Sequence, residues 1–282
     1  MQADRGEARG IAIATDEAEP VLATGELRAV PFGRGIDAPL DERPALEYRR
    51  ERVDRREAPQ SRLRVGEDDV DAPAGRLIHK NVRMHDFTPA ELRALRARKT
   101  PYGVQQLLDD MPYHLGTTAW SPRRVLHEGT AHCLEAAIFA AAGLRVLGFP
   151  PLLLDLEAEH DTDHVVAVFK VRGHWGAIAK SNYAGLAWRE PIHRTLRELV
   201  MSYFYSYFNL RRERTLRTFS RPVNLARFDD RDWMTTPKEV WFIPEYLLTI
   251  SHTPLLRPGM AKRLTPLDKR SFEAGLVGHR WK

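Results

Sequence analysis

The sequence predicts an α+β domain in which a helix carrying the lone cysteine packs on an antiparallel sheet, and three observations predict it. Residues 131–147 form an alanine-rich apolar stretch of helical character that stops at Gly148-Phe149-Pro150-Pro151. Leu152-Leu153-Leu154-Asp155-Leu156 then reads as a buried strand. Finally, His164-Val165-Val166-Ala167-Val168-Phe169-Lys170-Val171 and His174-Trp175-Gly176-Ala177-Ile178-Ala179 flank Arg172-Gly173, the pattern of a β-hairpin.

The other elements follow from local signals. Thr88-Pro89-Ala90-Glu91 has the form of a capping box with proline at the first helical position, and Leu92 and Leu95 continue an amphipathic helix to about Arg98. A second short helix is expected over residues 104–109. A longer one over residues 195–209 carries Tyr203, Phe204, Tyr205, Tyr207 and Phe208, whose spacing suits core packing. Residues 1–75 differ: charged residues, proline and glycine dominate, and no apolar period persists, although Ile11-Ala12-Ile13-Ala14-Thr15 suits a short strand. Such a segment buries too little to offset its ordering entropy. The expected organisation is a mostly disordered or loosely ordered extension over residues 1–75 and a domain over 76–282 that ends in helical and basic additions.

Composition narrows the function classes. The chain of 282 residues is 43% hydrophobic, enough for a substantial core, and its single cysteine excludes an internal disulfide framework. The amino terminus is charged from its fourth residue and the longest apolar run, residues 136–144, spans nine residues, so a cytoplasmic protein with no membrane partner is expected. A formal charge of +5 is too mild to argue for nucleic acid as a partner. Local clustering is stronger: Arg211, Arg212, Arg214, Arg217, Arg221 and Arg227 face the single acid Glu213 within residues 211–227, a solvated face or a dock for an anionic partner.

Cys133 carries the chemistry. It lies at a helix start behind a cap-like Thr130, and a strand-opening histidine, His164, follows 31 residues later. A thiol must ionise to attack a carbonyl, and both a helix N-terminus and a nearby imidazolium favour the thiolate. A buried cysteine also serves as a small hydrophobe, which is the structural alternative. Neighbouring His132 suits packing or a substrate-side contact. His160-Asp161-Thr162-Asp163-His164 offers ligand types for a divalent metal, with Asp155 or Glu157 nearby, so a metal-dependent hydrolase is a further reading.

The order of these pieces resembles the transglutaminase-like branch of the papain-like cysteine enzymes. Gly129-Thr130-Ala131-His132-Cys133-Leu134-Glu135-Ala136-Ala137, Asp163-His164-Val165-Val166-Ala167-Val168 and Gly173-His174-Trp175-Gly176-Ala177 carry the resemblance, which spans about a quarter of the chain. It implies a papain-like fold and a cysteine hydrolase or acyltransferase without a cofactor, acting on a peptide or another amide through an acyl-thioester on Cys133, with His164 as base. Where the family places an aspartate after the hairpin tryptophan, this chain reads Ala179-Lys180-Ser181-Asn182-Tyr183. Asn182 is the substitute that would orient His164, with Ser181 its competitor, and a non-catalytic module binding a peptide or an anionic partner is the alternative function. The Cys133 N–H is the first oxyanion donor, and Trp120 and His127 are candidates for the second. Lys180, Ser181, Trp188 and Arg189 are placed to line the cleft.

Overall fold

The computed structural model describes residues 87–281. The loose extension expected over residues 1–75, with its strand at 11–15, lies outside the described residues. Helix α1, Pro89–Arg96, starts at the predicted capping box: Thr88 Oγ1 accepts from the Glu91 N–H at 3.2 Å, and the Glu91 carboxylate accepts from the Thr88 N–H at 2.7 Å. Helix α2, Pro101–Asp109, begins three residues earlier than expected because Thr100 caps it and Pro101 presets its first turn. Helix α3, Pro122–Glu128, carries no apolar period strong enough to announce it. It ends at Gly129, where a φ of +63° needs a residue without a side chain. Helix α4 is Cys133–Val146.

Strand β1, Leu152–Ala158, pairs antiparallel with β2, His164–Val171, which pairs with β3, His174–Ile178. The Arg172-Gly173 turn between β2 and β3 has positive φ at both positions, 49° and 81°, the twist that suits a two-residue hairpin. Strand β4, Arg189–His193, follows, and then α5, Leu196–Phe204. That helix stops short of the expected Asn209 because Phe208 bridges to Arg214 and Tyr207 accepts the Thr215 N–H, which returns the chain to the sheet. Strands β5, Leu216–Ser220, and β6, Val223–Asn224, lead to a 3-10 segment, Leu225–Arg231, helix α6, Phe242–Thr249, and strand β7, His252–Pro254. A short 3-10 turn, Ala261–Arg263, precedes α7, Lys269–Gly275.

The described residues thus form a mixed α+β unit around a seven-stranded sheet ordered β4-β3-β2-β1-β5-β7, with β6 also on β1 and every pairing antiparallel. Both faces are covered. Val165, Ala167 and Phe169 of β2 face the core built on α1 to α4 and α6, whereas Val166 and Val168 face a second core with Leu199, Val200, Tyr203 and Tyr207. This two-sided burial explains why β2 reads as a continuous apolar run instead of an alternating one. Among the described residues no helix is long and apolar enough to cross a membrane.

The arginine-rich stretch is not one free face. Arg217 bonds Glu159 at 2.7 Å, Arg214 lies over the Tyr205 ring, and Arg227 lies over the Tyr246 ring and donates to its hydroxyl.

Candidate functional site

The cysteine helix starts two residues later than its sequence suggests. Thr130 turns its hydroxyl to the Pro112 carbonyl at 2.8 Å, and His132 becomes the N-cap, with the Glu135 carboxylate reaching back to its N–H at 3.2 Å. Cys133 is therefore the first helical residue. Glu135, fully buried, also accepts from the Thr118 hydroxyl at 2.5 Å, the Trp120 N–H at 3.2 Å and His114 Nδ1 at 3.0 Å. His132 Nε2 donates to the Thr118 carbonyl at 2.8 Å. This knot holds the loop before the cysteine rigidly against the helix, because a buried carboxylate must be satisfied on every side.

Cys133 and His164 line one cavity of about 50 Å³, together with Tyr113, Asp161, Thr162, Asp163, Ser181, Asn182, Tyr183, Leu186, Tyr207 and Phe208. His164 opens β2 and is buried, with Tyr203 and Tyr207 rings edge-on to it at 6.4 Å. Its ring bonds the backbone carbonyl of Leu186, while Nε2 is buried with no hydrogen-bond partner. The donor to Leu186 is therefore Nδ1, which leaves a lone pair on Nε2. Burial pushes the imidazole down from 6.5 to about 4, and the nearby Arg189 guanidinium adds to the fall against the raising effect of the Leu186 bond.

The thiol is equally far from ionised. Although the residue as a whole is half-buried, burial of its sulfur pushes the Cys133 pKa up to about 11, with the Glu135 charge adding to it. The Leu134 N–H and the Tyr113 hydroxyl act in the other direction. The thiolate–imidazolium pair expected from the sequence is replaced by a neutral thiol and a neutral imidazole, because desolvation outweighs the helix terminus. The two groups share the cavity without bonding each other: the thiol's side-chain partner is Tyr113, whose oxygen also meets the Cys133 N–H. A parallel bridge between Tyr113 and Ala131 brings that tyrosine beside the helix start. No pattern in the sequence singles out Tyr113, since it lies in a short loop 20 residues upstream.

The remaining predicted residues divide. Ser181 lines the cavity, and its hydroxyl accepts from the Tyr183 N–H at 3.0 Å. Asn182 also lines it, yet its amide is engaged by Arg280: Oδ1 accepts from the Arg280 N–H and Nδ2 donates to the Arg280 carbonyl, both at 2.8 Å. The group on His164 is instead the Leu186 carbonyl. Lys180 points inward and donates to the Leu108 and Met111 carbonyls at 2.7 and 2.6 Å, joining the loop after β3 to the end of α2. Trp188 stacks on Phe169 and donates to Glu190, away from the cavity lining. Arg189 lies over the Tyr203 ring and donates to the Gly185, Ala187 and Trp188 carbonyls, which fixes the loop that presents Leu186. Trp120 stacks on His114 at 4.2 Å, and His127 pairs with Glu91 at 2.8 Å; neither lines the cavity.

The loop His160 to His164 does not assemble as one metal site. Among the described residues, the ligand groups close enough to share an ion are His114, His132 and Glu135, and Asp155, Glu157 and His252. Asp163 accepts from the Ala158 N–H and Asp161 from the Thr215 hydroxyl, so both carboxylates brace the loop. No family model matches this chain, and no curated protein matches it.

Proposed function

We propose that this chain is a cysteine-nucleophile enzyme of transglutaminase-like type, with the papain-like arrangement of helix and sheet, acting on an amide as a hydrolase or acyltransferase. One observation supports it above the rest: His164 Nε2, held in the base-ready tautomer by Leu186, is buried and unpartnered in the cavity that Cys133 lines. A buried acceptor without a partner is costly, and such groups in a cleft serve chemistry that completes them.

The steps follow from the neutral pair. As Cys133 sulfur attacks the carbonyl carbon, its S–H proton passes to Nε2 and the carbonyl π electrons move to oxygen. The Cys133 N–H receives that oxyanion, so the substrate oxygen takes the place that the Tyr113 hydroxyl holds at rest. Collapse breaks the C–N bond, and Nε2 returns its proton to the departing amine, leaving a thioester on Cys133. Water or another amine then adds to the thioester carbonyl, losing its proton to Nε2, and the departing thiolate takes that proton back.

A simple ester tests the reading. With p-nitrophenyl acetate, an acetyl group mapped to Cys133 by peptide mass, and its loss in His164→Ala, is the expected result; equal labelling of both proteins refutes the pair. The bond between the thiol and Tyr113, in place of His164, favours the alternative of a non-catalytic peptide-binding module. An unlabelled Cys133 in the native protein would select it.

A further inference from the structure

The cavity around Cys133, about 50 Å³, is far smaller than the roughly 300 Å³ that ligand sites begin at, and three of its wall residues are engaged by the chain that follows α7. After α7 the chain turns at Gly278, where φ is +76°, and passes as His279-Arg280-Trp281 over residues that line the cavity. Asn182 grips both backbone groups of Arg280, accepting its N–H and donating to its carbonyl at 2.8 Å each. The Arg280 guanidinium donates to the Tyr113 carbonyl at 2.9 Å. His279 packs edge-on to Tyr183, with Trp281 against its other side at 4.2 Å. Asn182, Tyr113 and Tyr183 all belong to the cavity wall, so this segment is bonded to, or packed on, three residues of that wall.

An amide that reads one residue's N–H and C=O together makes the pair of bonds that a neighbouring β-strand would make. It recognises extended backbone irrespective of side chain. We propose that Asn182 is the backbone clamp of a peptide-binding groove, and that residues 279–281 occupy this groove at rest in the manner of a bound peptide. The inference rests on the acyl-transfer reading for what the groove feeds, and names a peptide, not a small amide, as the substrate class. One polar group of the occupant goes unmet. The Asn182 Nδ2 donates to His279 Nε2 at 3.2 Å, which puts the imidazole proton on Nδ1, and that nitrogen is buried without a partner. An unmet donor penalises the closed arrangement, and a peptide lacking that histidine would escape the penalty.

Arg280→Pro removes the N–H that Asn182 accepts and the guanidinium that holds Tyr113, and Arg280→Ala removes only the guanidinium. The probe is the acetylated hexapeptide of residues 276–281, labelled with fluorescein and followed by anisotropy on the full chain. Binding to Arg280→Pro at least about tenfold tighter than to the native protein is expected, with Arg280→Ala intermediate and the gain lost in Arg280→Pro with Asn182→Ala. Equal binding to native and both Arg280 variants, or binding indifferent to Asn182, overturns the groove. Because anisotropy does not involve the thiol, peptide binding that survives alongside equal Cys133 acetylation in native and His164→Ala proteins sinks the acyl-transfer reading and leaves the clamp standing.

Discussion

Two histidines of the same sheet, the buried His164 on β2 and the half-buried His252 on β7, are built in opposite ways. Burial lowers the pKa of each. At His252 the side chain is only 8% exposed, but Asp155 accepts from Nε2 at 3.1 Å, Glu157 lies near, and the Ile250 carbonyl takes Nδ1, so the net shift is upward. At His164 one ring nitrogen has a neutral carbonyl, the other has nothing, and the charge that shifts it is the like-signed Arg189. At His252 the two carboxylates outweigh burial, whereas at His164 burial acts with no carboxylate against it. The satisfied histidine ties β7 to β1, and the unsatisfied one keeps a lone pair available for chemistry.

The sharpest way to break this comparison is the pH profile of Cys133 alkylation by iodoacetamide. With a thiol near 11 and an imidazole near 4, the rate should climb about tenfold per pH unit, about a thousandfold from pH 7 to pH 10. A plateau already present at pH 6 would mean that the two groups form an ion pair after all.

Next in size is Asp155→Ala. It removes the carboxylate that accepts from His252 Nε2 at 3.1 Å and should cost about 3 kcal/mol of stability in urea unfolding. A loss below about 1 kcal/mol would show that the pair is no stronger than an exposed one.

The titrations of the two histidines should then pull stability in opposite directions. His164 has its folded pKa depressed from 6.5 to about 4, so its contribution is complete above 6.5 and is lost as pH falls toward 4, about 3 kcal/mol over that window. His252 has its folded pKa raised, so its contribution is complete below 6.5 and is lost as pH rises through the raised value. Urea unfolding of His164→Gln should lack the acid loss, and that of His252→Gln should lack the loss at higher pH. Parallel slopes in the two variants would contradict the contrast.

The smallest effect is expected at Ser181. Its hydroxyl serves a local turn and no ring nitrogen, so Ser181→Ala should change the alkylation rate by less than about twofold. A tenfold fall would make it the group that positions His164.

Local patterns carried much of the fold. The capping box at Thr88, the alanine-rich helix, the apolar strand and the Arg172-Gly173 hairpin are all set by residues within a few positions of one another, and each forms within about two residues of where the sequence places it. What the sequence misjudged depends on distant partners: the helix of residues 195–209 is cut short by pairing with residues 214 and 215, and the cap moves from Thr130 to His132 because Pro112 claims the threonine hydroxyl.

The site divides along the same line. By itself the sequence determined the lone thiol at a helix start and the histidine opening a strand, since both follow from local periodicity. Only the tertiary structure decided that Tyr113 holds the thiol, that Leu186 sets the His164 tautomer, that Asn182 grips Arg280, and that both reactive groups rest uncharged. Those outcomes are set by desolvation and by contacts between segments tens of residues apart, which the order of residues along the chain does not express.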